Sequence, residues 1–214
     1  MKIGVLMGGN SSERKVSLSS GKAVVNACKK LNYQVLELDP KEGLDLLSLE
    51  IKNVDLVFNA LHGGDGENGV VSSKLNNLGI KYTGSDEVSS AICIDKHISK
   101  TIVKRNNFLT PNWLLLKKDD IIPDVKNLGF PLVVKPNSEG STIGLSIIQH
   151  ESKLIEAINL ARVYDENILI ESFIKGRELT VGIISGESYP IVEIIPTHEL
   201  YDYECKYTKG MTNY

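Results

Sequence analysis

Long hydrophobic runs are missing from this chain: no stretch approaches the roughly 18 apolar residues that a membrane-spanning helix needs. The opening run Ile3 to Met7 is too short for a signal-peptide core, and no cleavage pattern follows it. Cysteine is scarce. Cys28, Cys93 and Cys205 are an odd, widely spaced set without a CxxC pair, which excludes a disulfide framework or zinc knuckle and suits a reducing compartment. Positive charge is not in excess either, with 24 Lys and Arg against 27 Asp and Glu. No basic field therefore draws nucleic acid or an anionic membrane. A soluble, cytoplasmic protein is expected.

What is present is ordinary for a globular chain: 214 residues, 42% apolar and 24% charged, enough for one large domain or two small ones. "KIGVLMGG" reads as a buried strand ending in a glycine turn. A helix follows from about Val16 to Leu31, with Val24, Cys28 and Leu31 at helical spacing. "YQVLELD" and "VDLVFNAL" read as strands, and "VVSSKLNNLG" as a helix closing at Gly79. The alternation predicts a Rossmann-like parallel α/β domain over 1–85.

Ser85 to Asn106 reads as one longer helix with Val88, Ile92, Ile98 and Ile102 on its buried face. The strand "NWLLL", a polar helical stretch, the strand "FPLVVKP", a glycine loop and "LSIIQ" come next. A helix with Leu154, Ile158 and Ala161 inward and a strand "NILIESF" complete this part. The two strands flanking the glycine loop are close enough to pair antiparallel. From 177 onward, "ELTVGIIS" and "YPIVEIIP" read as a hairpin with Leu179, Val181 and Ile183 on one buried face, and the remainder as a loop. Three portions result, 1–85, 86–176 and 177–214.

Two tempting motifs fail. Gly21-Lys22 lacks the earlier glycine and the following hydroxyl of a P-loop, having Val16 and Ala23 there. Gly8-Gly9 lacks the third glycine of a dinucleotide fingerprint, although Asp39 imitates its ribose acid. "GGNSSER" is then either an anion site at a helix N-terminus or a plain turn capped by Ser11 or Ser12. Glu13, just past it, is placed to hold an ammonium or simply to sit in a first turn. In "ALHGGDGENG", His62 stands at a strand's C-terminal end, where open α/β sheets bind ligands, though a lone histidine is more often structural.

Lys135 ends a strand, and Gly140 and Gly144 bracket Ser141, Thr142 and Ile143. Small residues at such a tip let amides and hydroxyls fold over phosphates; a flexible hairpin is the plainer reading. Context favours the first. "ILIESFIKGRE" offers Glu171, Phe173, Ile174 and Glu178 for an adenine edge and ribose hydroxyls. With Lys96 and Lys135, the set suits an ATP site better than any one member does alone.

By these residues the chain resembles the ATP-grasp ligases and, within them, the D-alanine–D-alanine ligase family. The matching segments run in the family's order: "GGNSSERKVSLSSG", "ALHGGDGENG", "YTGS", "DKHISK", "VVKPNSEGSTIG", "LIESFIKGRE" and "YDYECKY". The resemblance implies an N-terminal Rossmann-like domain, then a mixed α+β ATP-grasp fold over 86–176, with a third domain incomplete over 177–214. It implies ATP and two D-alanines as substrates, an acyl phosphate, and a dipeptide for peptidoglycan. Glu13, Ser141 and Tyr207 then correspond to the catalytic, substrate-holding set, with His62 near the substrates. Lys96, Lys135, Glu139, Gly140, Ser141, Glu171, Phe173, Ile174, Glu178 and Lys206 correspond to the ATP contacts. The family also implies Mg²⁺ (or Mn²⁺) and a homodimer. Its metal-binding Asp and Glu-x-Asn lie in a portion beyond Tyr214, so no metal ligand is assigned here. The chain is expected to be a fragment without turnover of its own.

Overall fold

The computed structural model describes residues 1–214. They form two compact units, Met1–Ser99 and Lys100–Tyr214.

In the first unit, β1 (Lys2–Leu6), β2 (Gln34–Leu38) and β3 (Leu56–Asn59) make a parallel sheet in the order β2-β1-β3. β1 is central, and Ile3 through Leu6 are buried on both faces, as the unbroken apolar run of a parallel strand requires. Helix α1 (Arg14–Lys30) connects β1 to β2, the short α2 (Ser48–Ile51) lies between β2 and β3, and α3 (Val70–Asn77) follows β3. A left-handed Gly79, φ +69°, ends α3 as expected. α1 differs from expectation at both ends and in its face. It starts at Arg14 with Glu13 at the cap position, and Ser11 Oγ accepts the Glu13 N–H at 3.2 Å. Its buried residues are Ser17, Gly21 and Val25. Small side chains win this stripe because the helix lies close against Met7, whose side chain occupies the space beside Gly21. Val24 and Cys28 flank the contact partly buried, and Leu31, past the helix end, is exposed.

The helix expected from Ser85 to Asn106 is two helices, α4 (Glu87–Ile94) and α5 (Lys96–Arg105). Asp95 breaks it: its backbone is extended (ψ 103°), and its carboxylate accepts the Ile98 N–H at 2.8 Å, the aspartate N-cap that competes with a continuous helix. Val88, Ile98 and Ile102 are exposed, not a buried face.

In the second unit, β4 (Trp113–Leu116), β5 (Leu132–Pro136), β6 (Ser146–Ile148) and β7 (Ile168–Ser172) form an antiparallel sheet ordered β4-β7-β5-β6. The polar stretch after β4 is not an α-helix and holds only a single 3-10 turn, Lys126–Leu128. Asp120 and Asp124 accept the N–H groups of Lys117 and Lys126, both at 2.9 Å, and aspartates used this way make turns. Period-two alternation divides the sheet's faces. Leu116, Val134, Ile168 and Ile170 turn to one side and make a core with Leu154, Ala157, Ile158 and Ala161 of α6 (Leu154–Arg162). Trp113, Val133, Lys135 and Glu171 share the opposite side: Glu171 faces Trp113 on one neighbour and Val133 on the other, with Lys135 two residues along.

β8 (Glu178–Ile184), β9 (Glu187–Pro196) and β10 (Thr212–Asn213) form a separate antiparallel sheet. The expected hairpin is present, but Leu179, Val181 and Ile183 are exposed, Ile183 at 70%. The final segment is not a plain loop either. It contains α7 (Tyr203–Tyr207), capped by Asp202 through the Cys205 N–H at 2.9 Å, and then β10.

Candidate active site

The first unit brings several of the sequence-predicted residues to the C-terminal ends of β1 and β3. Gly8, Gly9, Ser11, His62 and Gly63 line a cavity of about 290 Å³ there. Ser17 ties the two strand ends together from α1: its hydroxyl accepts the Gly8 N–H and donates to the Ala60 carbonyl, both at 2.8 Å. Glu13 is 3% exposed. Gly63, at φ +63°, passes so close that a β-carbon there would sit 2.7 Å from Glu13 Oε2. His62 Nε2 hydrogen-bonds Ser20 Oγ at 3.1 Å, and its Nδ1 lies 4.0 Å from Glu67 Oε1.

Asp39 is fully engaged inside this unit. Arg14 donates to both its oxygens, at 2.9 and 2.6 Å, and the N–H groups of Gly9 and Lys41 add to Oδ1. The Arg14 hydrogen bond, reinforced by those amides, holds the Asp39 carboxyl below its ordinary range. A carboxylate so occupied has no role as a ribose ligand, which agrees with the missing third glycine.

In the second unit, Lys135 and Glu171 of neighbouring strands meet in an ion pair, Lys135 Nζ on Glu171 Oε1. Their shared sheet face puts them together. A third partner was not foreseen: Lys100 Nζ, from α5, lies 2.7 Å from Glu171 Oε2. Its only signal in the sequence is the four-residue step from Lys96 in "DKHISK", which sets both lysines on one side of a helix. Burial pushes the Glu171 carboxyl up, but Lys135 and Lys100 outweigh it and hold it below the ordinary range. Lys100 is itself lowered, because burial of its ammonium outweighs the attraction of Glu171.

The glycine turn beside β5 is strongly shaped. Ser141 and Thr142 both have left-handed backbones, φ 49° and 63°, a conformation uncommon for residues with a β-carbon. Two hydrogen bonds from the turn reach the last segment: Ser141 Oγ to Tyr207 OH and Thr142 Oγ1 to the Tyr201 carbonyl, both 2.8 Å. Behind the turn, Asp165 accepts the Ser138 and Asn167 N–H groups, at 2.8 and 2.9 Å. Tyr201 OH lies 3.1 Å from Tyr214 OH, and that bond pushes the Tyr201 phenol up to about 12. Lys206 Nζ sits 5.3 Å over the Tyr201 ring.

The other expected residues fall at these positions in the fold. Lys96 opens α5, Glu139 and Gly140 enter the turn, Phe173 and Ile174 follow β7, and Glu178 opens β8. His198 Nδ1, Asp202 and Cys205 Sγ lie within 4.8 Å of one another, but Asp202 already caps α7 with one oxygen and binds His198 with the other at 2.7 Å. Glu171 has one ammonium group on each oxygen. Neither carboxylate presents a free oxygen to a hard cation such as Mg²⁺.

The chain thus combines a parallel α/β unit with a glycine-lined cavity and a mixed unit with lysines near a hydroxyl-bearing glycine turn. A family model for the D-ala D-ala ligase C-terminus matches residues 96–214. The D-alanine–D-alanine ligase of Aquifex aeolicus is 49% identical over the whole of this chain and 73% of its own length. A crystal structure of the Bacillus anthracis D-alanine–D-alanine ligase, 40% identical, superposes with a TM-score of 0.87 over 100% of this chain and 70% of that one. The same protein complexed with ATP gives 0.84, at 39% identity over 94% and 68%. The chain belongs to the D-alanine–D-alanine ligase family. No helix in it is long and apolar enough to cross a membrane.

Proposed function

We propose that this protein joins two D-alanines into D-alanyl-D-alanine at the expense of ATP, as a homodimeric cytoplasmic enzyme of peptidoglycan synthesis. The observation that carries the reading is the Ser141–Tyr207 hydrogen bond, because it links a phosphate-type turn to a tyrosine of the segment expected to hold substrate.

In this reading an oxygen of the first D-alanine carboxylate attacks the γ-phosphorus of ATP, and ADP leaves. The amine of the second D-alanine then attacks the acyl carbon, and inorganic phosphate leaves with the carboxylate oxygen. Phosphoryl transfer is limited by charge and alignment. Lys135, Lys96 and the N–H groups of the Gly140–Gly144 turn supply positive charge to the phosphates. Glu13, which is buried, binds the first ammonium, and Ser141 and Tyr207 orient the D-alanine carboxylate and exclude water from the acyl phosphate. Glu171, Phe173, Ile174 and Glu178 take the adenosine. Divalent cations would supply further charge neutralisation, but Glu171 and Asp202 are engaged elsewhere, so no step is assigned to them.

The alternative reading is a chain that binds nucleotide or D-alanine without turnover. Phosphate release from ATP, followed with and without D-alanine, and mass detection of the dipeptide separate the two. D-alanine-stimulated release with dipeptide supports the ligase. Calorimetric binding of both ligands without product supports the second reading, and no binding of either sinks both.

A further inference from the structure

Glu171 balances two ammonium groups, and the two are held differently. Lys100 is the more buried, at 11% exposure against 20% for Lys135. Besides Glu171 Oε2, it donates to Thr110 Oγ1 at 2.8 Å, and its Nζ lies 5.0 Å from the centre of the Trp113 ring. Thr110 and Trp113 hold it whatever happens at the carboxylate. Lys135 stands near the end of β5, five residues before the glycine turn. The trio carries one surplus positive charge, on the strand that leads to the turn.

We propose that Lys100 is the fixed counter-ion of Glu171 and thereby frees Lys135 to leave the carboxylate for a nucleotide phosphate. The inference rests on the reading that Lys135 serves phosphates. A buried carboxylate stripped of its last cation is costly. With Lys100 in place, departure of Lys135 leaves a neutral pair. Without Lys100, the same departure leaves Glu171 charged, 9% exposed and unpaired, so Lys135 stays on the carboxylate and the phosphates lose it. Lys100 touches no ligand in this scheme. It is a positioning residue, and it acts by setting which cation is mobile.

A merely structural role would weaken all ligands together, so the readout is selectivity. Binding of ADP and of adenosine is measured by calorimetry without added divalent ions, and the ratio of their affinities is compared among variants. Lys135→Met tests the underlying reading: the ADP-to-adenosine ratio should fall at least tenfold, and an unchanged ratio removes Lys135 from the phosphates. Given that fall, Lys100→Met should lower the ratio about tenfold as well, with adenosine affinity within about twofold of the parent. In Lys100→Met/Glu171→Gln the carboxylate that retains Lys135 is gone, and the ratio should return to the parent value. The proposal is overturned if Lys100→Met leaves the ratio unchanged while Lys135→Met lowers it, or if the double variant does not restore it. The double variant also carries the test should Lys100→Met alone fail to fold, since it removes the unbalanced charge.

Discussion

Ser141 Oγ lies 2.8 Å from Tyr207 OH across 66 positions of sequence. With the Thr142 bond to the Tyr201 carbonyl, it fastens the glycine turn to the segment that carries α7. Ser141 and Thr142 both have left-handed backbones, so the turn holds a conformation that its own residues do not favour.

The fastening predicts a measurable coupling. Ser141→Ala and Tyr207→Phe should each speed amide exchange in 203–207 and in the turn. Their double-mutant coupling should be about 0.5–1.5 kcal/mol, the worth of one ordinary hydrogen bond. Additive effects would mean that the two hydroxyls act independently.

Ser17 supports the first unit's cavity from within. Ser17→Ala removes the acceptor of the Gly8 N–H and the donor to the Ala60 carbonyl, two groups at buried strand ends. Stability should fall by about 1–3 kcal/mol, the cost of stranding buried backbone polar groups, read as a lower urea midpoint with unchanged slope.

Gly63 is needed for both its conformation and its smallness. Gly63→Ala puts a left-handed residue's β-carbon against Glu13, which should displace that carboxylate and weaken D-alanine binding at least tenfold while nucleotide affinity holds. Gly79→Ala is the control. Its φ is also positive, at +69°, but nothing lies within 4 Å of the added carbon, so it should carry the backbone strain of about 1–2 kcal/mol without loss of D-alanine affinity.

The Arg14–Asp39 pair predicts a pH dependence of stability. The folded-state pKa of Asp39 is depressed, chiefly by the Arg14 hydrogen bond. Its contribution is therefore fully present above the unfolded carboxyl pKa of about 3.9 and is lost as pH falls through the lower folded value. Asp39→Asn should be less stable than the parent at pH 7 and converge with it in acid. The side chain is partly exposed, so solvent screening keeps the gap below that of a buried pair. A gap that grows on acidification would contradict the assignment.

Much of this was legible in the sequence because the signals are local. Alternation in "LVVKP" and "ILIES" puts Lys135 and Glu171 on the face opposite the core, and the glycine spacing marks the turn. The two-helix break at Asp95 was also written locally, as an aspartate able to cap, but the apolar periodicity on either side concealed it. Lys100 was missed for another reason. Its role depends on α5 meeting β7, a tertiary contact that no spacing encodes. The exposed Leu179–Val181–Ile183 stripe shows the converse, since alternation identifies a face built for burial without saying what covers it. The inward stripe of α1 was misread because Ser17 and Gly21 are small, and close packing there outweighs hydrophobicity.

In the proposed reaction a D-alanine carboxylate is phosphorylated by ATP before the peptide bond forms. Incubation with ATP and D-alanine bearing ¹⁸O in both carboxylate oxygens tests it, with mass analysis of the released phosphate and the dipeptide. One ¹⁸O should appear in each phosphate formed, and the peptide carbonyl should keep the other. Phosphate free of label, or released at the same rate without D-alanine, would contradict it.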